Sequence, residues 1–317
     1  MGDPAGVGPE IVLKALGKLK LASRVLLIGD LDHLHRVQKT ILRKPLPPTP
    51  ILDLNALKGK SISFGRANAL AGYASGAYIE RAIELAKAGY VDGIVTGPIN
   101  KVSFKMGGWG KRFIGHTEML AALTGTKNVR SMLMHENVRA IHVTSHVPLR
   151  DVARRLTSAK IYETILIANA GLKQLGIKNP RIAVAGLNPH AGDDGVLGKE
   201  EKTLILPAIK RAQRRGLRVD GPLSADAMWP MVRARRYDAG VAMYHDQGQI
   251  AVKLAGFSMG KNGRIDVRGI QMTLGLPFVR TSVDHGTAYD IAGKGIASEE
   301  SMMDAIRIAL RLVGSHG

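Results

Sequence analysis

Three histidines follow three short apolar segments of the 317-residue chain. His146 comes after the run IHVTS, His190 after IAVAGLNP and His245 after GVAMY. If these runs are neighbouring parallel strands, their carboxyl ends bring the three imidazoles to one edge of a sheet. Three neutral imidazoles with an open coordination position suit Zn²⁺ or a similar divalent ion, and Asp246 could orient a ligand beside them. A hydrogen-bonded loop histidine is the alternative interpretation of each one taken singly.

A second group of residues has the chemistry to hold an anion. The segment GHTEML places His116 and Thr117 at a predicted helix start, where an imidazole and a hydroxyl suit a phosphate or a carboxylate. The alternative for Thr117 is that it caps the helix. Lys253 and Arg280 are cations inside the apolar stretches AVKLAGF and LPFVRTS. A cation on a buried side needs an anion, which is either a substrate or a structural Asp or Glu.

Two glycine-rich segments could approach a ligand closely. In GDPAGVGPE, residues 2–10, the glycines permit tight turns and a helix is predicted to begin near Pro9. Its helix-start amides could bind an anion, or the segment could be a structural turn. It lacks the G-x-G-x-x-G spacing of the dinucleotide fingerprint. The second segment, residues 186–201, is predicted to be a flexible loop that ends in a charged helix start.

The elements that must position these residues alternate along the chain. Apolar runs predict strands, and stretches with helical spacing of apolar residues lie between them. The predicted strands are 24–30, 93–98, 140–146, 181–190 and 239–248, and the predicted helices are 69–88, 151–171 and 200–215. Continuous apolar strands separated by helices are typical of parallel sheets covered on both faces. The pattern therefore predicts a doubly wound α/β fold.

Composition excludes several classes of protein. With 45% hydrophobic residues the chain can bury a large core, and with no cysteine it can have neither disulfides nor thiol-ligated metals. No apolar run reaches the roughly 20 residues of a membrane helix, and the first residues lack a signal-peptide pattern. We therefore expect a cytoplasmic enzyme without membrane association.

The formal net charge of +19 raises the question of nucleic-acid binding. The basic residues recur in small groups on predicted helices rather than in one arm, and the few aromatics are not interleaved with them as a stacking platform requires. We interpret the groups as solvated helix faces. They are Arg154–Arg155, Lys210–Arg211, Arg214–Arg215 and Arg233–Arg235–Arg236. The charge could still steer an anionic substrate.

The segment 282–301 resembles the adenosine-binding loop of the isocitrate and isopropylmalate dehydrogenases, which reads HG-small-A-x-x-x-AG. The resemblance implies that this loop holds the adenine and ribose of a nicotinamide cofactor. Asp290 then occupies the position that discriminates between cofactors, and a carboxylate there favours NAD over NADP. The cofactor-binding residues implied are His285, Gly286, Thr287, Ala288, Asp290 and Ile291.

The whole chain is similar to the 4-hydroxythreonine-4-phosphate dehydrogenase family of vitamin B6 biosynthesis. The motifs that carry the similarity occur in the family's order: GDPAGVGPE, TGPINK, GHTE, SHVPL, GLNPHAG, GPLSAD, YHDQG and GLPFVRTSVDHGTAYDIAG. The resemblance implies metal binding by His146, His190 and His245. It implies substrate contacts from His116, Thr117, Lys253, Arg280 and, at a position where the family has Asn, Gln271.

The resemblance also implies an architecture. It predicts two α/β/α domains with largely parallel sheets, isopropylmalate-dehydrogenase-like, and an active site in the cleft between them. The first domain would comprise residues 1–115 and 275–317 and carry the cofactor loop. The second, residues 116–274, would carry the metal and substrate residues and the interface of a homodimer, in which His245 serves the partner subunit's metal site.

Three departures from the family pattern bear on the substrate and the fold. Gln271 replaces the Asn, and residues 258–267 look like an insertion just upstream of it. Both changes lie in the segment expected to close over the substrate. The family also has a strand before GDPAG where this sequence starts, so either the start is shortened or one sheet edge is built differently.

The function expected from the resemblance is NAD-dependent oxidation of the secondary alcohol of 4-phosphohydroxy-L-threonine. Decarboxylation to 3-amino-2-oxopropyl phosphate would follow, with Zn, Mg or Co as the divalent metal and Lys253 and Asp246 as catalytic residues. The first alternative is oxidation of 4-phospho-D-threonate or 4-phospho-D-erythronate in sugar-acid catabolism, or of an aromatic cis-dihydrodiol carboxylate. The second is a nucleic-acid-binding protein on a dehydrogenase fold.

Overall fold

The structure, a computed structural model, describes residues 1–19, 21, 24–259 and 265–314, with the backbone alone for 265–267. In chain order its helices are α1 (Gly8–Leu19), α2 (Leu31–Val37), α3 (Ala69–Lys87), α4 (Lys101–Met106), α5 (His116–Thr124), α6 (Val152–Arg155), α7 (Ser158–Gln174), α8 (Leu206–Gln213), α9 (Ala225–Arg233), α10 (His245–Ala255) and α11 (Glu300–Val313). The strands are β1 (Leu27–Gly29), β2 (Ile51–Asp53), β3 (Gly93–Thr96), β4 (Arg130–His135), β5 (Val138–His142), β6 (Arg181–Ala185), β7 (Arg218–Leu223), β8 (Ala239–Ala242), β9 (Phe257–Met259), β10 (Ile265–Val267), β11 (Ile270–Leu274) and β12 (Val279–Val283).

The chain divides into two compact units. The first comprises Met1–Asn128 and Leu276–Gly317, and the second comprises Val129–Gly275. The predicted division after residue 115 differs from this one, because α5 packs against α3 and so belongs to the first unit. His116 and Thr117, at the start of α5, therefore lie in the first unit and not in the second.

The first unit contains two pairs of parallel strands. β1 pairs with β2, and β3 pairs with β12 in a register that sets Arg280 opposite Ile94. A cavity of about 600 Å³ lies between β1 and β3, lined by both strands and by apolar side chains of α1, α3 and α11. The strand that the family resemblance places before GDPAG has no counterpart among the described residues.

The second unit is built on a mixed sheet whose strand order is β11, β4, β5, β8, β6, β7. β5, β8, β6 and β7 are mutually parallel, whereas β4 is antiparallel to both of its neighbours. β4 and β5 are joined by two residues, Glu136 and Asn137, and so short a connection can join only antiparallel strands. The prediction of an α/β fold with largely parallel sheets is confirmed.

The predicted strands and helices are present, with differences at their ends. Predicted helix 151–171 is two helices, α6 and α7, and Thr157 caps the second by accepting a hydrogen bond from the Lys160 amide. The strand predicted over 239–248 ends at Ala242, because the polar run that follows begins α10 at His245. The pattern did not identify β4, whose sequence RSMLMH lacks a β-branched run.

The described residues agree with the interpretation of the basic groups as solvated surfaces. All nine arginines and lysines of those groups are exposed.

No helix within the described ranges combines the length and the apolar character that crossing a membrane requires.

The contact between α3 and α4 depends on a glycine. A Cβ on Gly72 would lie 1.7 Å from the backbone oxygen of Ser103, which is far inside any real contact distance. We expect Gly72→Ala to lower the free energy of unfolding by about 3 kcal/mol, because backbone atoms must move to admit the methyl group. Urea unfolding measures this.

Gly17→Ala is the matched control. Gly17 also lies within a helix, α1, but a Cβ there meets nothing within 4 Å. This substitution should leave stability unchanged or raise it by up to about 1 kcal/mol. Equal stabilities of the two variants would contradict the close-contact argument.

Candidate active site

The loop expected to hold a cofactor is seated on the GDPAGVGPE segment within the first unit. The amide of Val7 donates to the carbonyl of Thr287 over 3.0 Å, and the Tyr289 hydroxyl donates to Asp3 Oδ2 over 2.8 Å. A Cβ on Gly6 would lie 2.8 Å from the Thr287 Cβ, so only glycine allows this approach. The two segments therefore fit together without space between them.

This seating favours the structural interpretation of GDPAGVGPE. Residues 1–12 are buried, and several amides of the turn before α1 already have acceptors. The Ala5 amide donates to Asp3 Oδ1 over 2.8 Å, and the Gly6 amide donates to the Asp3 carbonyl over 3.1 Å. The segment is thus a structural turn that supports the loop.

A second set of contacts holds the far end of the same loop. Glu10, 2% exposed, accepts hydrogen bonds from the amides of Gly295 and Ala297. Lys14 donates to the carbonyls of the same two residues and forms an ion pair with Glu10 at 2.8 Å. Helix α1 thus fixes the chain on the side of the loop opposite Asp3.

Beside these attachments, the loop has both exposed and buried polar groups. Gly286 and Asp290 are exposed, and Ala288 has a positive φ of 42°. The Nε2 atom of His285 is buried and has no hydrogen-bond partner. An open backbone, a carboxylate and an unused imidazole nitrogen are groups that could contact the ribose and adenine of a nucleotide.

Arg280 is the buried cation of the first unit. It is 1% exposed on β12 and donates to the Thr96 hydroxyl over 2.6 Å. Burial lowers the pKa of its guanidinium to about 10, so it stays charged at neutral pH. Such a charge attracts anions strongly because the surrounding dielectric is low.

His116 lies at the first position of α5, close to Arg280. Gly115 precedes it as the helix cap without a side-chain bond, so Thr117 is not the cap. Burial, the charge of Arg280 and the amino group of Met1 together hold the pKa of His116 well below its usual 6.5. Its Nε2 atom is buried without a hydrogen-bond partner. The cluster is therefore a neutral imidazole beside a buried guanidinium.

In the second unit, His245 is the centre of a group of histidines. The His146 ring lies 5.9 Å from the His245 ring, and the His142 ring lies 5.8 Å from it on a stacked face. Asp246 Oδ1 lies 2.6 Å from His245 Nδ1. A carboxylate on one imidazole nitrogen is the arrangement that orients metal-binding histidines through the other nitrogen.

His190 lies in a turn of unusual backbone. Six successive residues, 190–195, have positive φ, which costs about 1–2 kcal/mol for each residue other than glycine. Glu201, 4% exposed, supports the turn because its Oε1 accepts from the amides of Leu187 and Asn188 at 2.8 Å. The strain is concentrated at a predicted metal ligand.

Within one chain the three histidines do not form a closed site. Across the described residues, no group of three His, Asp or Glu side chains is arranged to hold a metal ion. The structure brings His146 and His245 together, and His190 is exposed in its own turn. An imidazole pair with an orienting carboxylate fits a divalent metal in donor chemistry, but it needs at least one further ligand.

Two further predicted substrate residues lie in the second unit. Lys253 is exposed on α10, so its prediction as a cation on a buried side is wrong; only Gly248 and Val252 of that helix are buried. Gln271 is half-buried on β11 and donates from Nε2 to Ser131 Oγ over 2.6 Å.

In the predicted insertion 258–267, β9 pairs with β10 in an antiparallel ladder, and 260–264 lie outside the described residues.

Sequence reasoning missed three residues that support this chemistry. His142 ends β5, four residues before His146, and its position in the same apolar run was the available signal. Its pKa falls to about 4, chiefly through burial and then through the charge of His245. Asp3 and Tyr289, by contrast, gave no signal, because their contact joins residues 286 positions apart.

The depressed pKa of His116 predicts a pH effect on stability. In the unfolded chain His116 binds a proton as the pH falls through 6.5, whereas in the folded chain it stays neutral. The free energy of unfolding therefore falls as the pH drops below 6.5. One such group contributes a slope of up to about 1.4 kcal/mol per pH unit. His116→Gln should reduce the slope measured by urea unfolding between pH 7.5 and 5.

His35→Gln, on the exposed face of α2, is the control for this experiment and should keep the wild-type slope. If His116→Gln also keeps it, His116 is protonated in the folded protein and its assignment as a neutral group is wrong.

Comparison with known proteins identifies the family. Residues 14–309 match the family model described as pyridoxal phosphate biosynthetic protein PdxA. The D-threonate 4-phosphate dehydrogenase of Cupriavidus necator is 41% identical, over 97% of this chain and 94% of its own.

Two solved structures are similar over nearly their whole length. The 4-hydroxythreonine-4-phosphate dehydrogenase of Burkholderia phymatum has a TM-score of 0.81 at 41% identity, covering 98% of this chain and 96% of its own. The corresponding enzyme of Klebsiella pneumoniae has a TM-score of 0.86 at 37% identity, covering 99% and 96%. The chain therefore belongs to the PdxA family and is a dehydrogenase that acts on a CH–OH group.

Proposed function

We propose that this dehydrogenase oxidises the secondary alcohol at carbon 3 of a 4-phosphorylated four-carbon hydroxy acid, with NAD as the hydride acceptor. The observation that carries the proposal is Arg280, a guanidinium buried to 1% exposure beside His116 and Thr96. A buried charge of this kind is stabilised by an anionic ligand, and a phosphate offers three acceptor oxygens.

Within this substrate class, D-threonate 4-phosphate is the first candidate. The Cupriavidus necator relative carries that name, and Gln271 departs from the Asn that the 4-hydroxythreonine-4-phosphate family has at this position. The second candidate is 4-phosphohydroxy-L-threonine, because the similar solved structures carry the name of its dehydrogenase. The two substrates differ at carbon 2, where one has a hydroxyl and the other an amino group.

The first-unit residues would bind the phosphate by charge and by neutral hydrogen bonds. Arg280 supplies the charge, and Thr117 supplies a hydroxyl at the amino end of α5. His116 is neutral, so it adds a directional hydrogen bond without a second positive charge. Holding the phosphate fixes the distance from it to carbon 3 and so orients the alcohol for hydride transfer.

The loop 285–291 would hold the cofactor. Support comes from the exposed backbone at Gly286, the unpartnered Nε2 of His285 and the exposed carboxylate of Asp290. A carboxylate accepts hydrogen bonds from a free ribose 2′-hydroxyl and repels a 2′-phosphate, which favours NAD over NADP. In the reaction the hydride leaves carbon 3 with its electron pair and the alcohol loses its proton.

The histidines of the second unit would hold a divalent metal, Zn, Mg or Co, that polarises the alcohol oxygen when bound. Asp246 would keep the proton of His245 on Nδ1, so that the Nε2 lone pair, which accepts from Gln249 Nε2 over 3.3 Å in this structure, becomes a metal ligand when Gln249 moves away. Of the other two predicted ligands, His146 is the one that the described residues place beside His245, and we propose that a homodimer completes the set. Lys253, as the neutral amine, is the proposed acceptor of the alcohol proton, which would leave it as the ammonium ion.

The product of oxidation is a β-keto acid, which loses CO₂ readily. From D-threonate 4-phosphate the remaining three carbons form dihydroxyacetone phosphate. From 4-phosphohydroxy-L-threonine they form 3-amino-2-oxopropyl phosphate. The identity of the three-carbon product therefore reports the substrate independently of the rate.

The test follows NAD reduction at the nicotinamide absorbance with metal-loaded protein. The panel is D-threonate 4-phosphate, D-erythronate 4-phosphate, 4-phosphohydroxy-L-threonine and the same compounds without phosphate. We expect turnover of the threonate, at least a hundredfold loss of kcat/KM without the phosphate, and slower reaction with NADP.

Each other outcome corrects a definite part of the proposal. Turnover confined to 4-phosphohydroxy-L-threonine would establish the second candidate. Equal rates with and without phosphate would refute the role of Arg280. If no compound of the panel supports NAD reduction while NAD still binds, the substrate class is refuted and the cofactor assignment stands.

Replacing the predicted metal ligands tests the metal role. We expect His146→Ala, His190→Ala and His245→Ala each to abolish turnover and to lower the metal retained per chain after dialysis, since each removes a ligand. His35→Ala, on the exposed face of α2, should change neither. Full activity of chelated, metal-free protein would show that the histidines serve another purpose.

A further inference from the structure

We infer that Tyr289, through the hydrogen bond from its hydroxyl to Asp3, is a positioning residue that fixes the nucleotide-binding loop in the shape that binds NAD. The inference rests on the proposed cofactor role of residues 285–291. It assigns a function to the GDPAGVGPE segment, whose Asp3 is 0% exposed and acts through its hydrogen bond with Tyr289.

The two carboxylate oxygens of Asp3 have separate tasks. Oδ1 accepts the Ala5 amide at 2.8 Å and so shapes its own turn. Oδ2 accepts the Tyr289 hydroxyl at 2.8 Å and so attaches the loop. The Ser103 hydroxyl also lies 2.8 Å from the Tyr289 hydroxyl, and Ser103 in turn accepts the amide of Asn68. The attachment therefore extends to the start of α3 and to α4.

Tyr289 lies among the residues proposed to contact the cofactor. Asp290 follows it directly and Thr287 lies two positions before it, so fixing the position of Tyr289 also restricts these two residues. Its neighbour Ala288 has a φ of +42°, a conformation that a residue with a Cβ adopts only when its surroundings enforce it. A Cβ at Gly65 would lie 2.7 Å from the Tyr289 carbonyl, so the backbone is enclosed on that side as well.

The chemistry of the pair makes it a directional attachment. Burial and the neighbouring Asp3 raise the pKa of the Tyr289 phenol, so the tyrosine remains the donor throughout the working pH range. Burial also raises the pKa of Asp3, while the bonds from Ala5 and Tyr289 oppose that shift. A buried hydrogen bond to a carboxylate is among the stronger single bonds in a protein.

Tyr289→Phe tests the inference because it removes the hydroxyl and keeps the ring. We expect the Kd for NAD, measured by isothermal titration calorimetry on the otherwise intact protein, to rise about tenfold. KM for NAD should rise by a similar factor, and kcat should stay within about twofold of wild type. Hydrogen exchange of the peptide spanning 285–293 should accelerate.

Tyr90→Phe is the matched control. Tyr90 is 79% exposed, and loss of its hydroxyl should change neither the Kd nor the exchange of the loop. Asp3→Ala removes both acceptor oxygens, including the one that Tyr289 uses, and should weaken NAD binding at least as much as Tyr289→Phe. The double variant should then bind NAD no more weakly than Asp3→Ala, since the bond that Tyr289→Phe removes is already absent.

The results separate this inference from the proposed function. If wild type binds neither NAD nor NADP, the cofactor assignment fails and the positioning role fails with it. If wild type binds NAD and Tyr289→Phe binds it equally well, the cofactor assignment holds and the positioning role is refuted. A lower melting temperature with an unchanged Kd would also refute it, because that is the signature of a merely structural bond.

Discussion

The first unit depends on buried carboxylates that join the two ends of the chain. Asp3 and Glu10 lie near the start of the sequence, and their partners Tyr289, Gly295 and Ala297 lie near its end. A buried carboxylate without partners would be strongly destabilising, so each of these bonds is needed once the acid is in the interior. The same bonds hold the loop that presents Gly286 and Asp290 to solvent.

The local character of the elements was predictable from the sequence, and their long-range partners were not. Alternating apolar runs and helical stretches identified α3 and β6, and GHTEML identified the start of α5, because hydrophobic period and cap chemistry act over a few residues. The β4–β5 hairpin escaped prediction, since two antiparallel strands in a mixed sheet have no period of their own. Asp3 and Tyr289 could not be paired from sequence, because only the fold brings them together.

The site residues show the same division. Arg280 was identified as a cation in an apolar stretch, and the structure buries it, whereas Lys253 satisfied the same criterion and is exposed on α10. The difference is geometric: neighbouring positions of a strand alternate between two covered faces, while a helix at the surface turns most of its positions to water. His190 illustrates a further point. Four non-glycine residues of its turn adopt a left-handed conformation that their residue types disfavour, and Glu201 holds the segment just before the turn by accepting from the amides of Leu187 and Asn188.

The order of the two units along the chain has a consequence for synthesis on the ribosome. The second unit is a continuous segment, Val129–Gly275, whereas the first is assembled from residues on both sides of it. The second unit can therefore complete its core while the polypeptide is still growing. The first must wait for β12 and α11, and until they emerge, the apolar side chains of α1 and α3 remain exposed to solvent and to chaperones. The loop 285–291, the proposed cofactor site, is thus among the last parts of the protein to acquire its shape.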